Sequence, residues 1–172
     1  MTDDEIIGKV VEWLATVTGR VVIQGDQSGP RPAVPYIMVR MTGTAEPRDQ
    51  VQDVQYTDLD SENTEGLLEL EAAPVIEVEW QFSIHAYGAT GALSTDLLRP
   101  IRSAVRLSQV LEPLFPTFDV HRISQTRNVP EYVNEVWEPR AQMDLMLRGL
   151  TRDGFVIDPI EQIPPPVVER TV

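Results

Sequence analysis

The sequence predicts an α+β fold: a mostly antiparallel sheet with two helices on one face, plus an extended C-terminal arm. Near the N-terminus and again after residue 90, apolar residues recur at three- and four-residue steps, which indicates helices with one buried face. Elsewhere apolar and polar residues alternate, which indicates strands. After residue 149 the alternation stops and prolines accumulate. We therefore predict a domain at 1–149 and a proline-rich arm at 150–172.

The first helix is predicted over residues 3–18. Thr2 and Glu5 have the spacing of a capping box, in which each side chain bonds the backbone N–H of the other residue. Gly19 suits the left-handed turn that ends many helices. The apolar stripe of this helix comprises Ile6, Val10, Trp13, Leu14 and Val17.

A short strand at 20–24 is predicted next, then a stiff loop and a second strand at 36–42. The loop reads GDQSGPRPAVP and contains three prolines. Because proline has a fixed φ and no N–H, these residues suit a loop outside the sheet. We call residues 29–32 of this loop the proline ledge.

Residues 43–73 are polar and acidic, and a protruding hairpin is predicted there. Alternation is imperfect in this region, so the register of the two strands is left open. The acidic residues of the hairpin are Asp58, Asp60, Glu62, Glu65, Glu69 and Glu71.

The strand from Pro74 to Gly88 is the clearest in the chain, because six apolar residues alternate with polar ones. A second helix follows, kinked by Pro100, with its stripe at Leu93, Leu97, Ile101 and Val105. A strand and turn are predicted at 118–130. A last long strand is predicted over 133–149, with Trp137 and Ala141 on the same face.

Composition excludes several classes of protein. The 172 residues include no cysteine, which excludes disulfides and thiolate chemistry. Two histidines make a structural zinc site improbable, so we expect no metal and no cofactor. The net charge is −13, whereas nucleic-acid-binding domains are usually basic. No apolar run reaches the ~18 residues of a membrane helix, and the acidic N-terminus is unlike a signal peptide.

A glycine turn and a Ser/His pair are the first candidates for chemistry. Gly88 and Gly91 precede a helix, but the dinucleotide and P-loop patterns both fail. Ser83 and His85 share a strand face without a nucleophile elbow, so we expect His85 to be a surface histidine.

Glutamates form the remaining candidate. Glu77, Glu79 and Glu138 alternate along strands as on the solvated side of an antiparallel sheet. We therefore predict that the protein is not an enzyme. Two alternatives stay open: a small cytosolic enzyme that uses Glu77, Glu79 and His85, and a binding module whose proline-rich tail is a ligand.

Three segments carry a resemblance to a known family. They are VVIQGDQSGPRPAVPYIMVRM at 21–41, VEWQFSIHAYG at 78–88, and ISQTRNVPEYVNEVWEPRAQMDLML at 123–147. The shared motifs are Gly-x-Gln-x-Gly-Pro-Arg-Pro before a strand and Arg-Ala-x-x-Asp in the last strand. Over roughly residues 5–148 the chain resembles the phage neck or tail-terminator family.

The resemblance implies a structural virion protein that is made in the host cytoplasm. Such proteins form rings, usually hexamers, at the head–tail junction, where they terminate the tail tube. Their partners are further copies of themselves, a neck or connector protein, and a tail tube or sheath protein. DNA passes through without specific binding. The alternative within the class is another junction component, either a head-completion or a tail-tube adaptor protein.

Expected sites are surfaces, with no catalytic, cofactor or metal residues. A stiff loop loses little entropy on docking, and an apolar arm adds buried area between copies. The acidic hairpin residues named above are expected to face the lumen or a rim, where no cation would hold DNA phosphates. The expected subunit contacts are Pro30, Arg31, Pro32, Arg140, Phe155, Ile157, Ile160 and Ile163.

Overall fold

The structure is a computed structural model that describes residues 2–25, 29–62, 68–114, 118–133 and 135–157. Its helices are α1 (Asp3–Thr18), α2 (Thr95–Ala104) and α3 (Ser108–Leu111), which continues into a 3₁₀ turn (Glu112–Leu114). Its strands are β1 (Val21–Gln24), β2 (Tyr36–Ala45), β3 (Asp53–Glu62), β4 (Leu68–Tyr87), β5 (Phe118–Ile123), β6 (Arg127–Asn128), β7 (Glu131–Val133), β8 (Val136–Glu138), β9 (Arg140–Arg152) and β10 (Phe155–Ile157).

The main sheet has the order β1-β2-β4-β9-β5, and only β1 and β2 pair in parallel. β4 is the long central strand, with 20 residues. Because β2 and β9 pair with the same residues of β4, they lie on its two opposite edges. β3 continues along the β2 edge, and β10 continues along the β9 edge in an unchanged register.

The start of β4, together with β3 and β10, forms a three-stranded extension that we call the distal blade. β3 and β10 pair with β4 on opposite sides of residues 70–72. Within the described residues, no side chain of β3 or β10 belongs to the apolar core. The blade therefore extends the sheet beyond the part that the helices cover.

The core lies between the helices and one face of the sheet. Alternate residues of β4 and β9 point into it, among them Phe82, Ile84 and Leu145, none of which is exposed. Helix α1 contributes the stripe that its sequence predicts, and the indole N–H of Trp13 donates to the Val110 carbonyl at 2.9 Å. This bond joins α1 to α3 across the core.

The α+β fold with a mostly antiparallel sheet is confirmed. So is the first helix: it spans Asp3–Thr18, begins with the Thr2–Glu5 capping box and ends at Gly19 in the left-handed conformation.

The second helical region differs from the prediction. It breaks into α2 and α3, so the described residues contain three α-helices rather than two. Leu93 lies before the start of α2 and is exposed, because the helix begins only at Thr95.

Two long strands of the sheet, β4 and β9, also differ from the prediction. β4 runs without a break through Pro74, where a separate strand was expected to begin. The last long strand begins at Arg140, and Trp137 lies in a separate two-stranded sheet rather than beside Ala141. β9 continues to Arg152, past the predicted boundary at 149, so the division into domain and arm stays a prediction.

Candidate assembly interface

A small hairpin, β7–β8, presents two exposed aromatic side chains that pair with each other. Its strands pair Tyr132 with Trp137, whose rings lie 5.1 Å apart between centroids. Trp137 is 62% exposed and Tyr132 is 58% exposed. Two large aromatic side chains left in water are typical of a surface that another protein covers.

The proline ledge is held against this hairpin by Arg31. The Arg31 guanidinium donates to both carboxylate oxygens of Glu138, at 3.1 and 2.7 Å, and its Nε donates to the Tyr36 hydroxyl at 2.7 Å. The hydrogen bond to Glu138 raises the pKa of Arg31 above its usual range and lowers the pKa of Glu138. A bidentate pair fixes orientation as well as charge, so the ledge and the hairpin are held in one geometry.

Arg140 holds the other strand of the hairpin at the same end, where Glu131 pairs with Glu138. It donates to Glu131 at 2.7 Å, and its guanidinium lies 5.4 Å from the centre of the Tyr87 ring. Arg31 lies 5.0 Å from the centre of the same ring, and Tyr87 also stacks on Tyr36. The two arginines expected to make subunit contacts are thus brought together on one tyrosine by contacts within the chain.

A hollow of about 320 Å³ opens between the ledge and the hairpin. Pro32 of the ledge, Trp137 of the hairpin and Tyr87 of the sheet line it, together with Arg31. Pro30 is exposed beside it. We call the ledge, the hollow and the hairpin together the aromatic corner. Sequence reasoning assigned the ledge to a contact surface but missed Trp137, although Pro130 and Pro139 on either side of the hairpin were a usable signal.

His85 is buried rather than on the surface, with 8% exposure. Arg140 of β9 lies 3.1 Å from its Nδ1, and the Oγ of Ser83 on the same strand, β4, lies 3.2 Å from its Nε2. Since arginine can only donate, Nδ1 accepts and Nε2 carries the proton. Desolvation, followed by the charge of Arg140, lowers the pKa of His85.

This tautomer makes Ser83 an unsuitable nucleophile. The Ser83 hydroxyl accepts from His85 and from Gln142 at 2.9 Å, and it donates to Asp144 at 3.2 Å. In a catalytic triad the histidine accepts the serine proton and the carboxylate orients the histidine. Here the carboxylate contacts the serine instead, so the arrangement is a structural hydrogen-bond network and not a triad.

Glu77 and Glu79 form ion pairs on the same sheet face. Arg148 donates to Glu79 at 3.1 Å, and Arg48 lies 3.3 Å from Glu77. Along one strand, Glu77 and His85 are eight residues apart, or about 26 Å, so one small pocket cannot hold both. The separation weakens the enzyme alternative. Within the described part of the chain, no cluster of three or more metal-ligating side chains exists.

The distal blade presents a second exposed apolar surface. Phe155 pairs with Ala72 and Ile157 with Leu70, and Phe155 is 61% exposed. Tyr56 of β3 also pairs with Ala72 and is exposed. Ile160 and Ile163, the other expected contacts of the arm, lie outside the described residues.

The acidic residues of the hairpin predicted at 43–73 are spread over the blade. Asp58 and Asp60 are exposed on β3, and Glu69 and Glu71 are half-buried on β4. The Glu71 carboxylate lies against Gly154 and leaves no room for a side chain there. Glu65 and the side chain of Glu62 lie outside the described part of the structure.

An α+β fold with two separate exposed apolar surfaces is typical of proteins that work through contacts with other proteins. Comparison with known protein families shows which family the chain belongs to. The chain matches the model of the phage neck terminator protein family over residues 4–171 and therefore belongs to this family. No curated protein sequence matches it.

Membership makes the protein a structural component of the phage neck, associated with other virion proteins. None of the described helices is long and apolar enough to cross a membrane.

Proposed function

We propose that this protein forms a homo-oligomeric ring, of six copies, at the junction between phage head and tail. The ring ends the tail tube, connects it to the neck or connector protein, and lets DNA pass without specific binding. Family membership gives the phage neck; the ring, its six copies and the passage of DNA are what we propose in addition. As a virion component, the chain is made in the host cytoplasm and assembled there.

One observation carries the proposal: the two exposed apolar surfaces differ and lie at opposite ends of β4. The aromatic corner adjoins Tyr87, and the blade contacts surround Ala72, 15 residues earlier. At a rise of ~3.3 Å per residue, that separation is about 50 Å along the strand. A closed ring needs two different patches per subunit, one meeting the other on the next copy. The chain offers such a pair.

Each expected contact has a place in this proposal. Pro30, Arg31 and Pro32 contact the neighbouring copy from the ledge. Arg140 supports the contact indirectly, because its hydrogen bond to Glu131 holds the hairpin in place. Phe155 and Ile157, together with Ile160 and Ile163, form the arm that lies along the neighbour. The acidic residues of the blade face the lumen or a rim, where they keep DNA mobile.

The test is the mass of the purified chain and its place in the particle. We expect a ring of six copies at micromolar concentration by light scattering or native mass spectrometry. Electron microscopy of the assembled particle should locate the same ring between connector and tail. A strict monomer in solution, with no ring of this chain in the particle, would overturn the proposal. A location away from the end of the tail tube would favour a head-completion or adaptor role instead.

A further inference from the structure

The β5–β6 side of the sheet carries a group of arginines that the proposed contacts do not use. Arg99 and Arg102 lie three residues apart on α2 and share one face, and Arg106 lies in the turn that follows this helix. Arg102 donates to the Ser124 carbonyl at 3.3 Å, which brings this face to the loop between β5 and β6. We define the arginine edge as Arg99, Arg102, Arg106, Arg122 and Arg127.

The arginine edge is unusual in so acidic a chain. Residues 99–127 contain five arginines against two acids, Glu112 and Asp119, although the whole chain has a net charge of −13. Arg106 and Arg122 are exposed, and neither has an ion-pair partner among the described residues. Cations left unpaired in a chain with 27 carboxylates mark a surface that an outside anion can occupy.

The opposite side of the sheet has the opposite charge. β3 contains four acids and no basic residue, and within the described chain it pairs only with β4. Its outer edge is therefore open. Asp58 and Asp60 are exposed there and have no ion-pair partner in the part of the chain that the structure describes.

We propose that the acidic β3 edge of one copy docks on the arginine edge of a second copy. The inference rests on the proposed ring and sharpens it, because it states which charged surfaces meet. It assigns Asp58 and Asp60 to the contact between copies and leaves the acids of β4 for the lumen. β6 leads directly into the β7–β8 hairpin, so the same docking brings the blade towards the neighbour's aromatic corner.

A second copy fits the arginine edge better than nucleic acid does. Guanidinium groups bind carboxylates through paired hydrogen bonds, and the complementary carboxylates are present on the chain itself. A contact between two different patches is also the type that closes a ring. A net charge of −13, in contrast, repels the DNA backbone from the molecule as a whole.

A charge swap tests the pairing. One variant carries Arg106→Glu and Arg122→Glu; a second carries Asp58→Arg and Asp60→Arg; a third combines all four changes. Each of the first two variants places like charges at every contact, and we expect the dissociation constant between copies to rise at least about tenfold. An equal mixture of the two, or the combined variant alone, restores opposite charges and should recover the wild-type mass. Arg20→Glu, an exposed change outside the arginine edge, is the matched control.

Circular dichroism and the unfolding midpoint show whether each variant is folded, and all four positions are exposed. Unchanged assembly of both reversed variants would overturn the inference, although a ring seen in the particle would still support the proposed function. Failure of the mixture and of the combined variant to recover would overturn the pairing as well. Retention of duplex DNA by the wild type, lost in the arginine variant with assembly intact, would assign the edge to DNA. A chain that stays monomeric at every concentration overturns this inference, and imaging of the particle then decides separately on the ring.

Discussion

At the scale of single residues, two guanidinium groups lie near the ring of Tyr87, one from the proline ledge and one from β9. Arg31 and Arg140 lie 5.0 and 5.4 Å from the centre of its ring. Like charges this close are tolerable because each guanidinium also bonds a glutamate, Glu138 or Glu131. An aromatic face attracts a cation, so Tyr87 supports both strands of the hairpin at the end where Glu131 pairs with Glu138.

His85 gives a pH dependence with a definite sign. Arg140, Arg127 and Arg40 disfavour its protonation, and Asp144 favours it, but burial dominates and lowers the pKa. The folded chain therefore holds His85 neutral while the unfolded chain takes up a proton near pH 6.5. Stability present above that pH is lost as the pH falls through about 6.5, until the lower folded pKa is reached.

We expect His85→Gln to remove this part of the acid sensitivity. Between pH 7.5 and 5.5 one such imidazole accounts for at most about 1.4 kcal/mol of unfolding free energy. Urea unfolding at both pH values measures the difference. His121→Gln is the control, because that side chain is 41% exposed beside Glu79. Equal pH dependence in the wild type and in His85→Gln would show that His85 does not contribute.

The burial of His85 could not be read from its own strand. Alternation assigns a residue to one of two faces, and His85 was correctly placed opposite Phe82 and Ile84. That face is covered by Gln142 and Asp144 of β9, which lie nearly 60 residues later in the chain. Local sequence carries no information about that pairing, so the prediction of a surface histidine was wrong.

At the scale of elements, the first helix was predicted and the aromatic hairpin was missed. All the signals of α1 are local: a cap at Thr2, a stripe, and a glycine at its end. The hairpin interrupts an alternating pattern that continues into β9. Glu135 has a φ of 64° in its turn, a conformation uncommon for a residue other than glycine. Nothing in the residue type predicts it, so Trp137 was joined to the following strand.

The hairpin should act in assembly and not in folding. Trp137→Ser removes an exposed ring, so we expect the unfolding free energy to change by no more than about 0.5 kcal/mol. The dissociation constant between copies should rise at least about tenfold, because buried aromatic residues dominate protein interfaces. Analytical ultracentrifugation measures it. Val21→Ser, at a comparably exposed position on β1, is the control. Equal effects of the two substitutions would remove the hairpin from the proposed interface.

At the scale of the whole molecule, the sequence predicts well which strand residues face the core, because buried apolar residues recur at every second position. It could not predict the blade, since Tyr56 of β3 and Phe155 of β10, 99 residues apart, both pair with Ala72 of β4. The same holds for the two charged edges. β3 and the arginine edge are distant in sequence, and only the strand order puts them on opposite sides of one sheet.

The blade and the core should therefore separate under truncation. A chain that ends at Asp153 keeps β9 complete and loses β10 with everything after it. No residue of β10 lies in the core cluster of the described chain, so we expect one cooperative unfolding transition with nearly the full-length midpoint. Assembly should weaken, because the exposed side chains of Phe155 and Ile157 are removed. The full-length variant Phe155→Ser with Ile157→Ser keeps the backbone and should weaken assembly in the same direction. If both proteins form the ring as readily as the wild type, the arm is not a contact, and the ring must close through the aromatic corner and the charged edges alone.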